Sequence, residues 1–276
     1  MNTPDPASFD RLKEAIFQEY DRLKEEDTFR FGCHPGVPCF NLCCTDVNIF
    51  LSPYDILRMK NRLGITSQEF LDRYTLMPMD AKQHYPVVLL KMLDDEALSC
   101  PFVEKDAGCT IYEDRPWPCR MFPVGKASPK MEEAKPFYFL MHEEVCKGWD
   151  EPTEWTVRGW IEDQQVQPFD EWGERWKELT LHDFFGEGGK LTPPQMEMFH
   201  MVCYNLDKFR AFVFESSFLD RFEVEPDRVE RMRAGDEALL EFGFEWLRFA
   251  LFREPVIKVR EEAIEEVKKR TGAPPK

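Results

Sequence analysis

Eight of the nine cysteines in this chain fall between Cys33 and Cys146. Four of them lie in the segment 29–45, which is rich in glycine and proline and has no apolar periodicity of helix or strand type. A segment of this kind cannot build a hydrophobic core of its own. Its conformation must therefore be held by something other than packing, and this requirement constrains the fold more than any other feature of the sequence.

Such cysteines can form a disulfide framework, act as small buried hydrophobic residues, or bind a metal. The N-terminus has no basic stretch followed by an apolar one, so we expect no signal peptide and a cytoplasmic location. A reducing compartment disfavours a disulfide framework. Free cysteines often act as small buried hydrophobic residues, but core cysteines do not gather in loops of glycine and proline. Thiolates that converge on a metal are the remaining interpretation, because a metal can replace missing hydrophobic packing.

The candidate metal ligands are the eight cysteines of this region. They are Cys33, Cys39, Cys43, Cys44, Cys100, Cys109, Cys119 and Cys146. Eight ligands are twice what one tetrahedral ion or one four-iron cluster requires, so two centres are possible. Neighbouring side chains diverge in both strands and helices. We therefore predict that Cys43 and Cys44 serve different centres, or that one of them is a free or reactive thiol beside a single centre.

Charge and neighbouring residues refine this hypothesis. Arg115 and Arg120 could offset the surplus negative charge of four thiolates around a metal. His34 is adjacent to Cys33, but a solvent-exposed loop residue is the better interpretation than a fourth ligand. Glu197 and His200 have the spacing of half a di-iron site, yet a second Glu-x-x-His is absent from the sequence, so burial in a helical core is favoured there.

Three blocks of sequence carry a resemblance to a known family. They read CFNLCC at 39–44, CPF followed by CTIYEDRPWPCRMFP at 100–102 and 109–123, and CKG at 146–148. These blocks resemble the CxxCxxCC family, whose members are described as chelating zinc or iron. Five residues separate Cys33 from Cys39 and three separate Cys39 from Cys43, where the family name implies two and two.

The resemblance covers roughly residues 30–165 and implies a metal-chelating module. One branch of the family is flagellin lysine N-methylase, which transfers methyl groups from S-adenosylmethionine. Two functions therefore stay open. One is a non-enzymatic role in electron transfer, metal handling or partner binding, and the other is a methyltransferase-like enzyme that uses the cysteine cluster. The sequence contains no recognisable donor-binding motif.

The identity of the metal is also open at this point. The Cys100-Pro101 dipeptide is typical of the end of bacterial iron–sulfur runs, which favours an iron–sulfur cluster such as 4Fe-4S. Zinc sites favour cysteine pairs separated by two to four residues, and Cys39 with Cys43 has this spacing. Zinc or mononuclear iron is therefore the alternative cofactor.

The sequence predicts an α+β fold that is mainly α, in three parts. Residues 1–28 are expected to form an N-terminal helix. Residues 29–165 form a cysteine-cluster, metal-binding domain with short helices and a hairpin, and residues 166–276 form an all-helical C-terminal extension. Because the extension has apolar stripes of its own, we expect it to depend less on metal than the cysteine module does.

Local patterns within the module place its elements. Ser52-Pro53-Tyr54-Asp55 predicts a capped helix that stops at Gly64. The apolar run 85–93 predicts a strand, and the turn at 106–108 predicts a short hairpin. Five prolines at 113–137 predict irregular structure there.

The extension reads as a series of helices. Thr192 is predicted to cap a long helix, 236–253 is predicted to be a buried helix, and 255–270 is predicted to be an amphipathic one. The long helix has an apolar stripe. Its members are Phe199, Val202, Leu206, Phe209 and Val213.

Net charge excludes some partners. The chain has 36 basic and 52 acidic side chains, and its net charge of −16 would repel nucleic acid and anionic lipid. The longest apolar stretch, 238–252, is too short to cross a bilayer and contains three charged residues. We therefore expect a metal ion or cluster, and possibly a protein, as partners, with neither nucleic acid nor membrane among them.

Overall fold

A computed structural model of the chain describes residues 21–78, 83–104, 106–127 and 136–271. Within these ranges the fold is α+β and mainly α, as predicted. The helices are α1 (Pro53–Leu63), α2 (Ser67–Tyr74), α3 (Trp117–Met121), α4 (Val157–Asp163), α5 (Gln167–Thr180), α6 (Asp183–Gly186), α7 (Pro193–Tyr204), α8 (Leu206–Phe214), α9 (Phe218–Arg221), α10 (Pro226–Ala234), α11 (Asp236–Phe252) and α12 (Glu261–Thr271).

All strands are short and pair antiparallel. They are β1 (Thr28–Arg30), β2 (Phe50–Leu51), β3 (Thr75–Leu76), β4 (Val88–Leu90), β5 (Val103–Glu104), β6 (Gly108–Cys109), β7 (Val124–Ala127), β8 (Phe137–Leu140), β9 (Glu154–Thr156), β10 (Phe222–Glu223) and β11 (Lys258–Val259). The sheets are β1–β9, β2–β4–β3, β5–β6, β7–β8 and β10–β11. The C-terminal extension is thus helical apart from the β10–β11 pair.

The predicted capping signals are confirmed. The Ser52 hydroxyl accepts a hydrogen bond from the backbone N–H of Asp55 at 3.1 Å, and the Asp55 carboxylate accepts one from the N–H of Ser52 at 2.7 Å. These two bonds satisfy free donors at the start of α1. Gly64 ends α1 with φ +64°, a conformation that costs glycine little. The predicted hairpin is also present, as β5 and β6.

Several sequence-based expectations need correction. The proline-rich range 113–137 was expected to be irregular, but it contains α3, β7 and the start of β8. Pro118 lies in the first turn of α3, where a missing N–H costs nothing. The long helix after Thr192 is broken into α7 and α8 at Asn205, although its apolar stripe is buried as predicted.

The two ends of the chain also differ from the prediction. The last helix was expected from residue 255, but the chain first forms β11 and α12 begins at Glu261. Residues 1–20 of the predicted first helix lie outside the described residues. Its predicted end at 21–28 is not helical: Leu23 exchanges backbone hydrogen bonds of 2.7 and 3.0 Å with Tyr138, and Thr28 begins β1.

Two hydrophobic cores organise the described chain. The larger core joins Tyr54 of α1 and Phe70 of α2 to Phe199, Phe209 and Leu247 of the C-terminal helices. The boundary near residue 166 remains a prediction about chain organisation, but packing is continuous across it.

The smaller core lies beside the cysteines. Its buried residues are Phe29, Phe31, Met121, Val124, Tyr138, Val157, Trp160 and Val166. Six of them come from β1, α3, β7, β8 and α4, while Phe31 directly follows β1 and Val166 follows α4.

The apolar helix α11 lies within the larger core. Its charged residues Glu241, Glu245 and Arg248 all form ion pairs with neighbouring elements. In the part of the chain that the structure describes, no helix combines the length and the apolar character needed to cross a membrane.

Candidate metal centre

The cysteine region is closed at its base by a neck, which we define as the β1–β9 pair. Phe29 lies opposite Trp155 in this pair. Beyond the neck, the N–H of Phe31 donates to the carbonyl of Thr153 and the N–H of Gly32 donates to the carbonyl of Gly148, both at 3.0 Å. The loop that carries Cys33 therefore runs beside the loop that carries Cys146.

The two loops approach closely because of Gly148. A Cβ atom at this position would lie 2.6 Å from the carbonyl oxygen of Gly32 and 2.7 Å from the ring of Phe31. Only a residue without a side chain fits this gap. Gly148 thus sets the distance between the loops.

The first thiol group consists of Cys33, Cys39, Cys43 and Cys146, which line one cleft together with Phe31 and Phe122. The backbone N–H of Lys147 donates to the Cys39 sulfur at 3.0 Å. The N–H of Gly148 bonds to the Cys146 sulfur. Backbone N–H groups aimed at sulfur stabilise the thiolate form, which is the form that binds metals.

The second thiol group consists of Cys44, Cys100, Cys109 and Cys119, which interact electrostatically with one another. The N–H of Cys100 donates to the carbonyl of Cys44 at 2.8 Å, and this contact joins two parts of the chain. Cys109 lies in β6 and Cys119 in α3. The eight predicted ligands are thus brought together as two sets of four.

Cys43 and Cys44 connect the two groups. They lie in a 3₁₀ turn, Leu42–Cys44, which follows Asn41 in the left-handed conformation with φ 69°. The chain therefore turns more tightly than we expected from the sequence, and the two thiols form a hydrogen bond with each other. Their other sulfur neighbours differ. Cys43 interacts with Cys33 and Cys146, whereas Cys44 interacts with Cys100 and Cys119.

The thiols raise one another's pKa values. Desolvation and the charges of Cys43, Cys39 and Cys146 raise the pKa of Cys33 to about 11. Cys119 is partly solvent-exposed, but many protein atoms surround it. Desolvation and the charges of Cys100 and Cys109 raise its pKa to about 12. Crowded thiolates repel one another unless a positive charge lies between them. A bound cation would remove this repulsion.

The pair at the junction behaves differently. The hydrogen bond from Cys44 lowers the pKa of Cys43 to about 7 and raises the pKa of Cys44. A shared proton between neighbouring thiols has this effect, because the donor keeps the proton and the acceptor is stabilised as a thiolate. Cys43 is also solvent-exposed. At the junction, one thiol therefore favours the thiolate form of its neighbour.

Two buried arginines lie beside the second thiol group. Arg120 donates to the backbone carbonyls of Arg115, Gln164 and Glu113, so its guanidinium shapes the surrounding loop. Arg115 donates to the carbonyl of Tyr112 and to the side-chain oxygen of Gln164. The charge of Arg115 lowers the pKa of Cys33, Cys109 and Cys119, although burial keeps all three pKa values above the usual one.

Sequence reasoning missed two residues that support the site. Asp55 is buried, and its carboxylate accepts a hydrogen bond at 2.8 Å from the N–H of Trp117 at the start of α3. Gln164 contacts Arg115 and Arg120 from the end of α4. Both act across 44 to 62 positions of sequence, so no local signal identifies them.

The weaker candidates do not join the site. The Nδ1 atom of His34 accepts from the N–H of Gly36 and its Nε2 atom contacts Glu151 at 3.2 Å, so both ring nitrogens have partners. His200 packs in α7 against Tyr204. Cys203 is 1% exposed, and burial raises its pKa well above the usual value.

The donor set fits a metal centre in its chemistry. None of the eight grouped cysteines is buried, and all are free thiols, in contrast to Cys203. Cys100, Cys109 and Cys146 pack at the edges of the two cores, but none of the eight lies inside a core. Over the described ranges, no three His, Cys, Asp or Glu side chains stand in an arrangement that could hold a metal ion. The thiols are assembled in two groups but are not closed around a single point.

These features define a cysteine-cluster protein, in which two groups of free thiols that are not fully buried are the candidate ligands. Residues 32–147 match the model of the CxxCxxCC family, described as "Putative zinc- or iron-chelating domain". This part of the chain is therefore similar to the CxxCxxCC family, as the resemblance predicted. The matched stretch is less than half of the chain and contains all eight grouped cysteines. Neither the curated proteins nor the solved structures contain a match to this chain.

Proposed function

We propose that the protein binds iron or zinc through two thiolate centres, one formed by each thiol group, and that its role is not enzymatic. The division of eight cysteines into two sets of four that meet at Cys43 and Cys44 supports this proposal. Each set has the number of ligands that a tetrahedral ion or a four-iron cluster takes. A reducing compartment such as the cytoplasm would keep the thiols available.

An iron–sulfur cluster is the first candidate for the bound group. The sulfurs of Cys100 and Cys109 each accept a hydrogen bond from the backbone N–H two residues later, from Phe102 and Ile111. Hydrogen bonds to the sulfurs are among the features that tune the potential of such clusters. Electron transfer, metal handling or partner binding would follow from this chemistry.

Zinc or mononuclear iron is the second candidate. The spacing of Cys39 and Cys43 suits zinc, and both line the same cleft. Zinc would act as a structural ion that holds loops without a core. Protein purified without oxygen would separate the candidates, because a brown colour that bleaches in air indicates a cluster, whereas a colourless protein with bound zinc indicates the ion.

Serine variants test the two-centre arrangement. We expect Cys33→Ser and Cys119→Ser each to lose about half of the bound metal, since four ligands serve each centre. Cys43→Ser and Cys44→Ser should likewise lose different halves. Cys203→Ala is the matched control and should retain all of it. If Cys43→Ser or Cys44→Ser alone empties a folded protein of metal, the two-centre proposal is wrong.

The enzyme alternative has its own test. A methyltransferase-like function requires binding of S-adenosylmethionine, which calorimetry on the metal-loaded protein measures directly. We expect no binding. Saturable binding of this donor would overturn the non-enzymatic proposal, while bound metal without donor binding would support it.

A further inference from the structure

The cleft of the first thiol group has an apolar rim, formed by Leu42 and Val145. Both line the cleft together with the buried Phe31 and the partly buried Phe122. Leu42 is 54% exposed and Val145 is 59% exposed, which makes them two of the three most exposed large apolar side chains in the described ranges. Single exposed apolar residues are common on protein surfaces, but a group of them beside a cleft is typical of a contact site.

The first described residues of the chain are directed towards this cleft. Leu23 forms an antiparallel bridge with Tyr138 of β8, and Arg22 lies over the ring of Phe137 at 4.8 Å. In an antiparallel pair, the chain before one partner runs alongside the residues that follow the other. The chain before Leu23 therefore runs along the later part of β8, towards the residues that follow this strand.

The end of β8 that is reached in this direction lies near the cleft. The N–H of Met141, directly after β8, donates to the carbonyl of Pro123 at 2.8 Å. Phe122, the residue before Pro123, lines the cleft. With strands about 4.8 Å apart and a rise of about 3.4 Å per residue, the start of the described chain is roughly 10–15 Å from Phe122.

Residues 1–20 lie outside the described residues, and their sequence suits this surface. Apolar residues recur there at the spacing of a single helical face. They are Phe9, Leu12, Ile16 and Tyr20. A helix over 8–20 would be about 20 Å long, which is enough to reach across the cleft.

We propose that residues 8–20 bind over the cleft of the first thiol group, with their apolar face on Leu42 and Val145. The segment would cover the first thiol group and leave the second one uncovered. The two groups would then differ in their access to solvent, oxidants and chelators. The inference goes beyond the proposed function, because it concerns access to the thiols and not the identity of what they bind.

Photo-crosslinking of the full chain as purified tests the contact directly. Ile16→p-benzoylphenylalanine places the crosslinker on the apolar face, and Glu14→p-benzoylphenylalanine places it on the opposite face. We expect crosslinks from position 16 to the segments 39–45 and 141–147, and a yield about 10-fold lower from position 14, because the two positions are about 200° apart on a helix. Absence of these crosslinks from position 16 would overturn the inference.

A mixture of light and isotopically heavy chains identifies the molecule that supplies the segment. Crosslinks within one chain support the inference. Crosslinks that join a light chain to a heavy one would show that a second copy covers the cleft, and this result would overturn it.

Hydrogen exchange on the protein as purified gives a second measurement without a bulky side chain. Leu12→Gln combined with Ile16→Gln should raise the exchange rates of amides in 39–45 and 141–147 by about 10-fold, because loss of apolar contact lowers the bound population. Arg11→Gln combined with Glu14→Gln is the matched control, since it changes the opposite face, keeps the net charge and should leave the rates unchanged.

Unchanged exchange in the Leu12 and Ile16 variant would overturn the inference, as would an equal increase throughout the chain. Neither measurement requires a bound metal. Failure of the inference is therefore distinct from failure of the proposed function, which metal analysis of the same preparation decides.

Discussion

At the scale of a single residue, Gly148 lies at the contact between the loop that carries Cys33 and the loop that carries Cys146. A Cβ at this position would lie 2.6 Å from the carbonyl oxygen of Gly32. Gly148→Ala should therefore push the two loops apart and lower the free energy of unfolding by about 1–3 kcal/mol. We also expect selective loss of the metal held by Cys33 and Cys146. Chemical denaturation and metal analysis measure the two effects.

The control for this variant lies in a helix. Gly173 of α5 has no atom within 4 Å of its would-be Cβ. Gly173→Ala should therefore raise stability by about 0.5–1 kcal/mol, through helix propensity, and leave the metal content unchanged. A Gly148→Ala protein with full stability and full metal content would contradict the role assigned to this contact.

At the scale of elements, Asp236 joins α1 to the C-terminal helices. Its carboxylate accepts hydrogen bonds of 2.6 Å from Lys60 of α1 and from Arg210 of α8. Burial raises the pKa of Asp236, but the hydrogen bonds and charges of Lys60 and Arg210 outweigh it, so the net pKa is lowered. The ionised carboxylate therefore stabilises the folded state at neutral pH.

Asp236→Asn should lower the free energy of unfolding by about 1–3 kcal/mol at pH 7. An acid with a lowered pKa stabilises the fold above the unfolded pKa and loses this contribution as the pH falls through the folded one. The difference from the parent protein should therefore shrink below about pH 4. Glu223→Gln, which removes a surface pair with Lys258, should leave stability unchanged. A pH-independent difference for Asp236→Asn would contradict the ionic explanation.

The sequence predicts a helix well where local capping signals mark both of its ends. Ser52 and Gly64 set the limits of α1 because capping groups act within one turn. Strands of two to four residues are too short to show a clear period, so the sequence does not reveal β2, β3 and β7.

Prediction of the site follows the same rule. All eight candidate cysteines were found from their density, and Arg115 from its position among them. Their division into two groups was inferred only from ligand number and the adjacency of Cys43 and Cys44. The actual grouping depends on long-range contacts such as the 2.8 Å bond between Cys100 and Cys44. Gln164 was missed for the same reason, since its contacts with Arg115 arise from folding and not from local sequence.

At the scale of the whole molecule, the larger core consists of apolar side chains, with Cys100 and Cys109 of the second thiol group packed at its edge. It joins α1 and α2 to α7, α8 and α11 through apolar contacts such as those of Phe70, Phe209 and Leu247. Removal of metal from the protein by a chelator should therefore preserve most of the helical circular dichroism signal. It should also open protease sites within 33–47 and 141–150, because structural thiolate sites supply the stability of such loops.

Limited proteolysis and circular dichroism on the same sample check this expectation, with chelator preloaded with zinc as the control. A single cooperative loss of all helix would mean that the larger core needs the metal. Stability confined to residues after 166 would mean that α1 and α2 do not belong to the core unit, contrary to their packing.

The neck has a thermodynamic consequence for any species that Cys33 and Cys146 bind together. These residues are 113 positions apart, so joining them in an open chain would close a long loop. Because β1 and β9 are paired, Arg30 is already opposite Glu154, and the loop left to close is about ten times shorter. The free-energy cost of closing the loop is therefore lower by about 2 kcal/mol. Folding of the neck thus raises the effective concentration of one thiol near the other, and a variant that unpairs β1 from β9 would weaken binding without touching a ligand.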